Sequence, residues 1–147
     1  VQRAHRAGDP WSGHMAFPGG RLDASDPGGG GAACREAFEE TGLVIKQADR
    51  VGRLHDRVTR AHRQPLPMVV SPFVYALEKT PIDWQLNYEV DKTVWVPLAY
   101  LADNSNRKKM TWRMGPVPLK LPCYHYQDYH IWGLTLLMLD ELVRLTR

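Results

Sequence analysis

The stretch Arg35-Glu36-Ala37-Phe38-Glu39-Glu40-Thr41-Gly42-Leu43 decides both the fold and the chemistry of this chain. Glu39 and Glu40 follow Glu36 by three and four residues, and these spacings bring side chains onto one face of an α-helix. Carboxylates gathered on one face repel, and each raises the pKa of the others. A divalent cation that prefers oxygen ligands, Mg²⁺ or Mn²⁺, would make the cluster favourable. The alternative is a solvated acidic helix face.

Two neighbouring features favour the metal interpretation. Arg35 precedes Glu39 by four residues, a spacing at which its guanidinium can fix the orientation of that carboxylate. The turn at residues 17–20, Phe-Pro-Gly-Gly, lets the backbone approach a ligand closely. Gly42 is placed to end the helix in a left-handed conformation. Since the four glycines at residues 28–31 disfavour a helix, the predicted helix runs from about 32 to 41.

Composition excludes several classes of protein. A chain of 147 residues suits one domain, residues 1–147, with a sizeable core. The net charge of +3 does not argue for a nucleic-acid partner. No apolar run is long enough to span a bilayer, and no signal peptide is visible. Cys34 and Cys123 match no metal-binding spacing, and a reducing cytoplasmic compartment is expected.

The remaining pattern mixes strands with helices. It predicts strands over residues 51–55, 68–77 and 90–96, a short helix start at 97–101, a hairpin of 108–114 with 119–126, a turn at 127–128 and a strand over 129–132. Residues 133–145 form a clear amphipathic pattern, so a C-terminal helix is predicted there. Its Leu-rich stripe suits a core or the surface of a homodimer. The order favours an α/β or α+β sandwich with helices covering a mixed sheet.

The region from Gly20 to Leu43 resembles the Nudix box, which is Gly, a loop with an acidic residue, then Arg-Glu-hydrophobic-x-Glu-Glu-x-Gly-hydrophobic. The matching positions are Gly20, Arg35, Glu36, Ala37, Glu39, Glu40, Gly42 and Leu43. The acidic loop position falls on Asp26, and the loop from there to Arg35 is one residue longer than the standard box. This insertion, together with residues 13–20, resembles the coenzyme A pyrophosphatase subgroup. The chain departs from that subgroup at Asp9, where an Arg is usual.

The resemblance implies a single Nudix hydrolase domain with an α/β/α sandwich and a mixed sheet between the helices. It implies that Mg²⁺ or Mn²⁺ is held by Glu36, Glu39, Glu40 and the backbone carbonyl of Gly20. Arg35 would orient Glu39, and Asp26 would support the loop. The general base is either one of the box glutamates or a glutamate outside the box, for which Glu89 is the best candidate. The implied reaction is hydrolysis of a pyrophosphate bond in a nucleoside diphosphate derivative.

The substrate contacts are the least specified part of the prediction. Arg107, Lys108 and Lys109 are candidates for binding phosphate, and Trp112 or Tyr126 for stacking on a base. The alternative for each is a surface loop or a core aromatic residue. The resemblance favours coenzyme A or a derivative as substrate. ADP-ribose, ADP-sugars, dinucleotides and nucleoside triphosphates are the alternatives, and a non-catalytic nucleotide-binding module is a third interpretation. Neither nucleic acid nor a membrane is expected as a partner.

Overall fold

A computed structural model describes residues 1–9, 11–59, 67–79, 83–113 and 117–146. Its elements in chain order are β1 (Gln2–Arg3), α1 (Gly29–Thr41), β2 (Arg50–Arg53), β3 (Arg57–Thr59), β4 (Met68–Val70), β5 (Phe73–Tyr75), β6 (Val90–Lys92), α2 (Leu98–Ala102), β7 (Arg107–Arg113), β8 (Pro118–Tyr126), β9 (Tyr129–Trp132) and α3 (Gly133–Leu145). This mixture confirms the predicted α/β class. The chain divides into two compact units, Val1–Gly13 with Phe17–Thr93 and His14–Ala16 with Val94–Arg147. The single domain over 1–147 stays a prediction.

The strands of the described residues form four small sheets. In the first unit β1 pairs with β6, β2 with β5, and β3 with β4, while β7, β8 and β9 form a three-stranded sheet in the second. Every pair among the described residues is antiparallel, where the sequence pattern predicts one mixed sheet. Most of these strands are two to four residues long. Short connections favour antiparallel neighbours, because parallel strands need a crossover of a dozen residues or more.

Helix α1 begins at Gly29, three residues before the predicted start. Two of the glycines that disfavour a helix pack closely against neighbouring residues. Gly30 is buried, and its carbonyl accepts a hydrogen bond of 2.9 Å from the Tyr75 hydroxyl. A Cβ atom at Gly30 would lie 3.0 Å from Gln47 Oε1, and one at Gly31 would lie 2.6 Å from Pro27. The cost in helix propensity is therefore offset by close contact with neighbouring segments.

The other end of α1 follows the prediction. Gly42 has a φ of 73° and donates its N–H to the Phe38 carbonyl at 2.8 Å, which ends the helix in the left-handed conformation. A side chain at Gly42 would also meet residue 85, because its Cβ would lie 2.8 Å from Gln85 Cβ. This glycine is needed both for its φ and for the approach of that segment.

Two predicted strands are shorter than expected. The strand predicted over 68–77 is split into β4 and β5 at Ser71-Pro72, since proline has no N–H to donate to a ladder. The Pro72 carbonyl instead accepts from Leu54 N at 3.0 Å. The strand predicted over 90–96 is present as β6 (Val90–Lys92), which pairs with β1.

The second unit agrees closely with the prediction. β7 and β8 form the expected hairpin, Gln127-Asp128 forms the turn, and α3 has the predicted bounds. The core consists of apolar residues from the sheet, α2, α3 and the segment at residues 14–16: Met15, Leu101, Tyr124, Ile131, Leu136, Leu139 and Val143. The Tyr124 hydroxyl donates to the Leu101 carbonyl at 2.7 Å, which satisfies the polar end of this buried ring.

The helices of the described ranges are all too short or too polar to cross a membrane.

Candidate functional site

The turn at residues 17–20 lies against the face of α1 that carries Glu36 and Glu40. The Gly19 N–H donates to Glu40 Oε1 at 3.3 Å. A Cβ atom at Gly20 would collide with the carboxylate of Glu36. The Gly20 backbone therefore lies close to the acidic side chains, and a larger residue at position 20 would displace the Glu36 carboxylate. The sequence predicts this approach, and the structure gives its contacts.

Arg35 ties the preceding loop to the helix. Its Nε and Nη2 donate to the two carboxylate oxygens of Asp26 at 2.9 and 3.0 Å. Its Nη1 donates to Glu36 Oε1 at 2.9 Å and to Glu39 Oε2 at 3.0 Å. The hydrogen bonds from Arg35 hold the pKa of Asp26 below its usual value. Asp26 therefore serves as the anchor of Arg35, and Arg35 holds two of the three helix glutamates.

Glu40 is the buried carboxylate of the cluster, with 8% of its surface exposed. Burial raises its pKa, and the nearby charges of Glu36 and Glu89 raise it further. The Gly19 N–H and the charge of Arg3 act in the opposite direction. Ionised Glu40 is consequently an unfavourable group in the folded protein without a compensating cation.

Backbone hydrogen bonds bring Glu89 to this cluster. The N–H groups of Gln85 and Asn87 donate to the carbonyls of Thr41 and Glu40, each at 3.0 Å, so residues 85–87 dock on the C-terminal end of α1. The Asn87 side-chain oxygen then accepts from Glu89 N at 2.8 Å. The sequence pointed to Glu89 only through its place before a strand, whereas these contacts show why it lies near Glu40.

Arg3 and Asn87 have a part in the site that the sequence analysis missed. Arg3 donates from Nη2 to Asp9 at 3.0 Å, and its charge acts on Glu40. Asp9, which stands where the coenzyme A subgroup has Arg, is thus the acidic partner of a nearby arginine. Neither Arg3 nor Asn87 belongs to a recognisable motif. The contribution of Arg3 depends on the pairing of β1 with β6, and that of Asn87 on the path of residues 85–89.

The donor chemistry of the cluster fits a hard divalent cation. Its ligands would be carboxylate oxygens and a backbone carbonyl, which Mg²⁺ and Mn²⁺ prefer over nitrogen or sulfur. In the part of the chain that the structure describes, no three His, Cys, Asp or Glu side chains are already arranged as a metal-binding group. Arg35 occupies one oxygen each of Glu36 and Glu39. Each of these carboxylates has a second oxygen that could bind a cation while Arg35 holds the first, and the fit lies in donor type.

The predicted substrate contacts belong to the second unit. Arg107 makes a two-point ion pair with Asp140, and its guanidinium lies 5.0 Å from the centre of the Tyr124 ring. Together these residues line a shallow cavity of about 280 Å³. Lys108 Nζ donates to the Ser105 carbonyl at 3.0 Å.

Trp112 is part of an aromatic cluster in that unit. Its ring centre lies 4.6 Å from Trp132 and 5.6 Å from His14. Tyr126, the other candidate for base stacking, packs edge-on against Tyr100 at 4.9 Å. Lys109 is exposed on β7. The roles of these residues in substrate binding stay predictions.

Comparison with known proteins decides the family. The sequence model of the NUDIX domain matches residues 1–118, which is most of the chain. The chain belongs to the Nudix family. Helix α1 and the loop before it lie within the matched region. The Nudix assignment made from residues 20–43 is therefore confirmed.

Three relatives show the range of similarity. An uncharacterised protein of fission yeast, C14C4.10c, is 38% identical over 104 residues, which cover 69% of this chain and 32% of the yeast protein. The human mitochondrial coenzyme A diphosphatase NUDT8 is 28% identical over 97% of this chain and 60% of its own length. The uncharacterised Nudix hydrolase NudL of Salmonella paratyphi B is 28% identical over 89% of this chain and 66% of its own. The chain thus spans between 32% and 66% of the length of these relatives.

Proposed function

We propose that this Nudix domain hydrolyses a pyrophosphate bond in a nucleoside diphosphate derivative with the help of a divalent cation. The observation that carries the proposal is the environment of Glu40. This carboxylate is buried beside the Gly19-Gly20 turn, and the charges of Glu36 and Glu89 raise its pKa. A buried carboxylate near two others is unfavourable when no cation is bound. Such perturbed groups are typical of sites that bind a cation and a phosphate. Family membership supports the same reaction type.

The residues divide into two tasks. Glu36, Glu39, Glu40 and the Gly20 carbonyl would hold Mg²⁺ or Mn²⁺, and Arg35 would orient Glu39. The bound cation neutralises charge on the phosphate oxygens. A carboxylate must also take a proton from the attacking water.

Two assignments of that general base remain. Glu40, whose pKa is raised by burial, is a better proton acceptor than an exposed carboxylate. Glu89 is free of the Arg35 hydrogen bonds and faces the same cluster. Loss of the acidic limb of the pH–rate profile on substituting Glu89, with cation affinity unchanged, would assign the role to Glu89. An unchanged profile would assign it to a box glutamate.

Coenzyme A or a derivative is the favoured substrate. The lengthened loop before Arg35, the match over residues 13–20 and the name of the human relative support it. ADP-ribose, ADP-sugars, dinucleotides and nucleoside triphosphates are the alternatives within the same chemistry. Arg107 and Lys108 are proposed to contact phosphate and Trp112 to contact a base. For Arg107 this requires competition with Asp140, its present partner.

A homodimer and a cytoplasmic location stay predictions. The exposed Leu137 and Leu145 of α3 are compatible with a subunit contact. The human relative is named as mitochondrial, which is a different compartment from the one predicted. Size-exclusion chromatography with light scattering would test the dimer.

A substrate panel tests the proposed function. Purified protein is incubated with coenzyme A, ADP-ribose, a dinucleotide and a nucleoside triphosphate, each with titrated Mg²⁺ and Mn²⁺, and the phosphate products are quantified. Cation-dependent cleavage, fastest for coenzyme A, is expected. Faster cleavage of another compound would change the substrate and keep the chemistry. Nucleotide binding without cleavage of any compound would favour the non-catalytic module, which is disfavoured because all three box glutamates are present.

A further inference from the structure

His125 and His130 face each other across the hairpin of β8 and β9. The register pairs them directly, and their rings are stacked with centroids 4.3 Å apart and planes inclined by 13°. Both side chains are exposed. The pair lies in the second unit and has no part in the carboxylate cluster. We propose that these two imidazoles form a surface binding site for a borderline transition-metal ion such as Zn²⁺ or Ni²⁺.

The two rings are near enough to share an ion once they turn. Zn–N bonds are about 2.0–2.1 Å, so two nitrogens on one ion lie at most roughly 4 Å apart. The stacked centroids are 4.3 Å apart, and a ring nitrogen binds a metal through its in-plane lone pair, so both rings must rotate from the stacked arrangement until one nitrogen of each points at the ion. Directly opposite residues of an antiparallel pair have Cβ atoms about 4.5–5.5 Å apart, which keeps such an arrangement within reach of both side chains. Imidazole nitrogen suits Zn²⁺, Ni²⁺ and Cu²⁺, whereas Mg²⁺ prefers oxygen. The site therefore differs in chemical class from the carboxylate cluster.

The hairpin holds the two histidines in place before any ion binds. The Tyr100 hydroxyl donates to the His125 carbonyl at 2.7 Å. Tyr126, next in the chain, packs edge-on against Tyr100, and the pair Tyr126–Tyr129 closes the two-residue turn. On the opposite face of the hairpin Tyr124 and Ile131 are buried in the core. A rigid backbone reduces the entropy lost on binding, because the two ligands are already neighbours.

Two protein ligands leave the other coordination positions to water. In the described residues no third His, Cys, Asp or Glu completes a metal-binding group. The site is consequently an open one, weaker than a structural zinc site with four protein ligands. An open position is also where a donor group from another molecule would bind.

Isothermal titration with ZnCl₂ in saturating Mg²⁺ tests the proposal, since Mg²⁺ occupies the oxygen-rich cluster. The proteins compared are wild type, His125→Gln, His130→Gln and the matched control His55→Gln, an exposed histidine elsewhere. One Zn²⁺ binding event is expected in wild type and the control, and at least about tenfold weaker binding in either hairpin variant. Circular dichroism of the metal-free variants should match wild type, because both substitutions are exposed.

The imidazole resonances give an independent readout. In long-range nitrogen–proton NMR spectra, Zn²⁺ should shift one ring nitrogen of both His125 and His130, and leave those of His55 unchanged. Equal Zn²⁺ affinity in wild type and both hairpin variants, or shifts at other histidines only, would overturn the proposal. These experiments do not measure hydrolysis, so their outcome tests the histidine site independently of the proposed function.

Discussion

Helices α1 and α3 are both 13 residues long, but they differ in how well their sequences suit a helix. In α3 an apolar stripe packs Leu136, Leu139 and Val143 into the core, and this amphipathic pattern agrees with the fold. In α1 glycines occupy the first turn, and like charges share one face. Consistency across levels marks regions selected for stability, and local conflict marks regions selected for function.

Glu141 sharpens this comparison. It lies in α3 and is only 2% exposed, so a buried glutamate alone does not identify a site. Glu40 differs because Glu36 and Glu89 act on it at the same time and two glycines bring backbone close to the cluster. The combination of repelling carboxylates and an approaching glycine turn separates α1 from α3.

The largest effect is expected from Glu39→Gln or Glu40→Gln. Each removes a charged oxygen ligand, and kcat/KM should fall by more than about 100-fold, beyond the roughly 10–100-fold typical of residues that support ligands. Initial rates with Mg²⁺ on the best substrate measure this fall in kcat/KM. The exposed Glu78→Gln in the same unit is the control and should retain wild-type rates. Near wild-type turnover of the helix variants would remove these residues from the site.

In α3 the matching change is Leu136→Ala. The side chain is 2% exposed in the core of the second unit, so a cavity should lower the free energy of unfolding by about 2–5 kcal/mol. Urea unfolding followed by circular dichroism measures it. The exposed Leu137→Ala on the same helix should change stability by less than about 0.5 kcal/mol. Equal losses for the two variants would contradict the assignment of the core.

Arg35→Lys tests how α1 is organised. Lysine keeps the charge and cannot bond Asp26 at two points while also holding Glu36 and Glu39. Affinity for Mn²⁺, measured by titration of the free protein, should fall by about 10–100-fold. Unchanged affinity would mean that Arg35 serves only to hold the loop.

Asp26→Asn should produce the smallest effect, and one that depends on pH. Because Arg35 lowers the pKa of Asp26 in the folded protein, this carboxylate contributes stability above its unfolded pKa of about 3.9 and loses it as the pH falls through the folded value. The variant should be less stable than wild type at pH 7, and the difference should shrink toward pH 3. Urea unfolding at both pH values measures this, and a constant difference would contradict it.

The sequence predicted the elements whose signals are local. The bounds of α3, the β7–β8 hairpin and the Gly42 terminus of α1 follow from apolar periodicity, turn residues and a positive φ. The start of α1 was mispredicted because Gly30 packs closely against Gln47 and Tyr75, and Tyr75 is 45 residues away in the chain.

The same distinction holds for the site. The box residues are specified by their spacing on one helix, so they can be named from the sequence. The role of Arg3, and the hydrogen bonds that bring Glu89 to Glu40, depend on segments far apart in the chain. Spacing within a motif carries no information about such contacts.

The most direct test of the central claim compares the thermal stability of wild type and Glu40→Gln at pH 7, in EDTA and in saturating Mg²⁺. The claim is that α1 keeps an unfavourable carboxylate in order to bind a cation. Since the pKa of Glu40 is raised, its ionised form destabilises the folded protein above that pKa. Glu40→Gln should therefore be at least as stable as wild type in EDTA and gain less from Mg²⁺. Lower stability in EDTA with an equal gain from Mg²⁺ would contradict the claim.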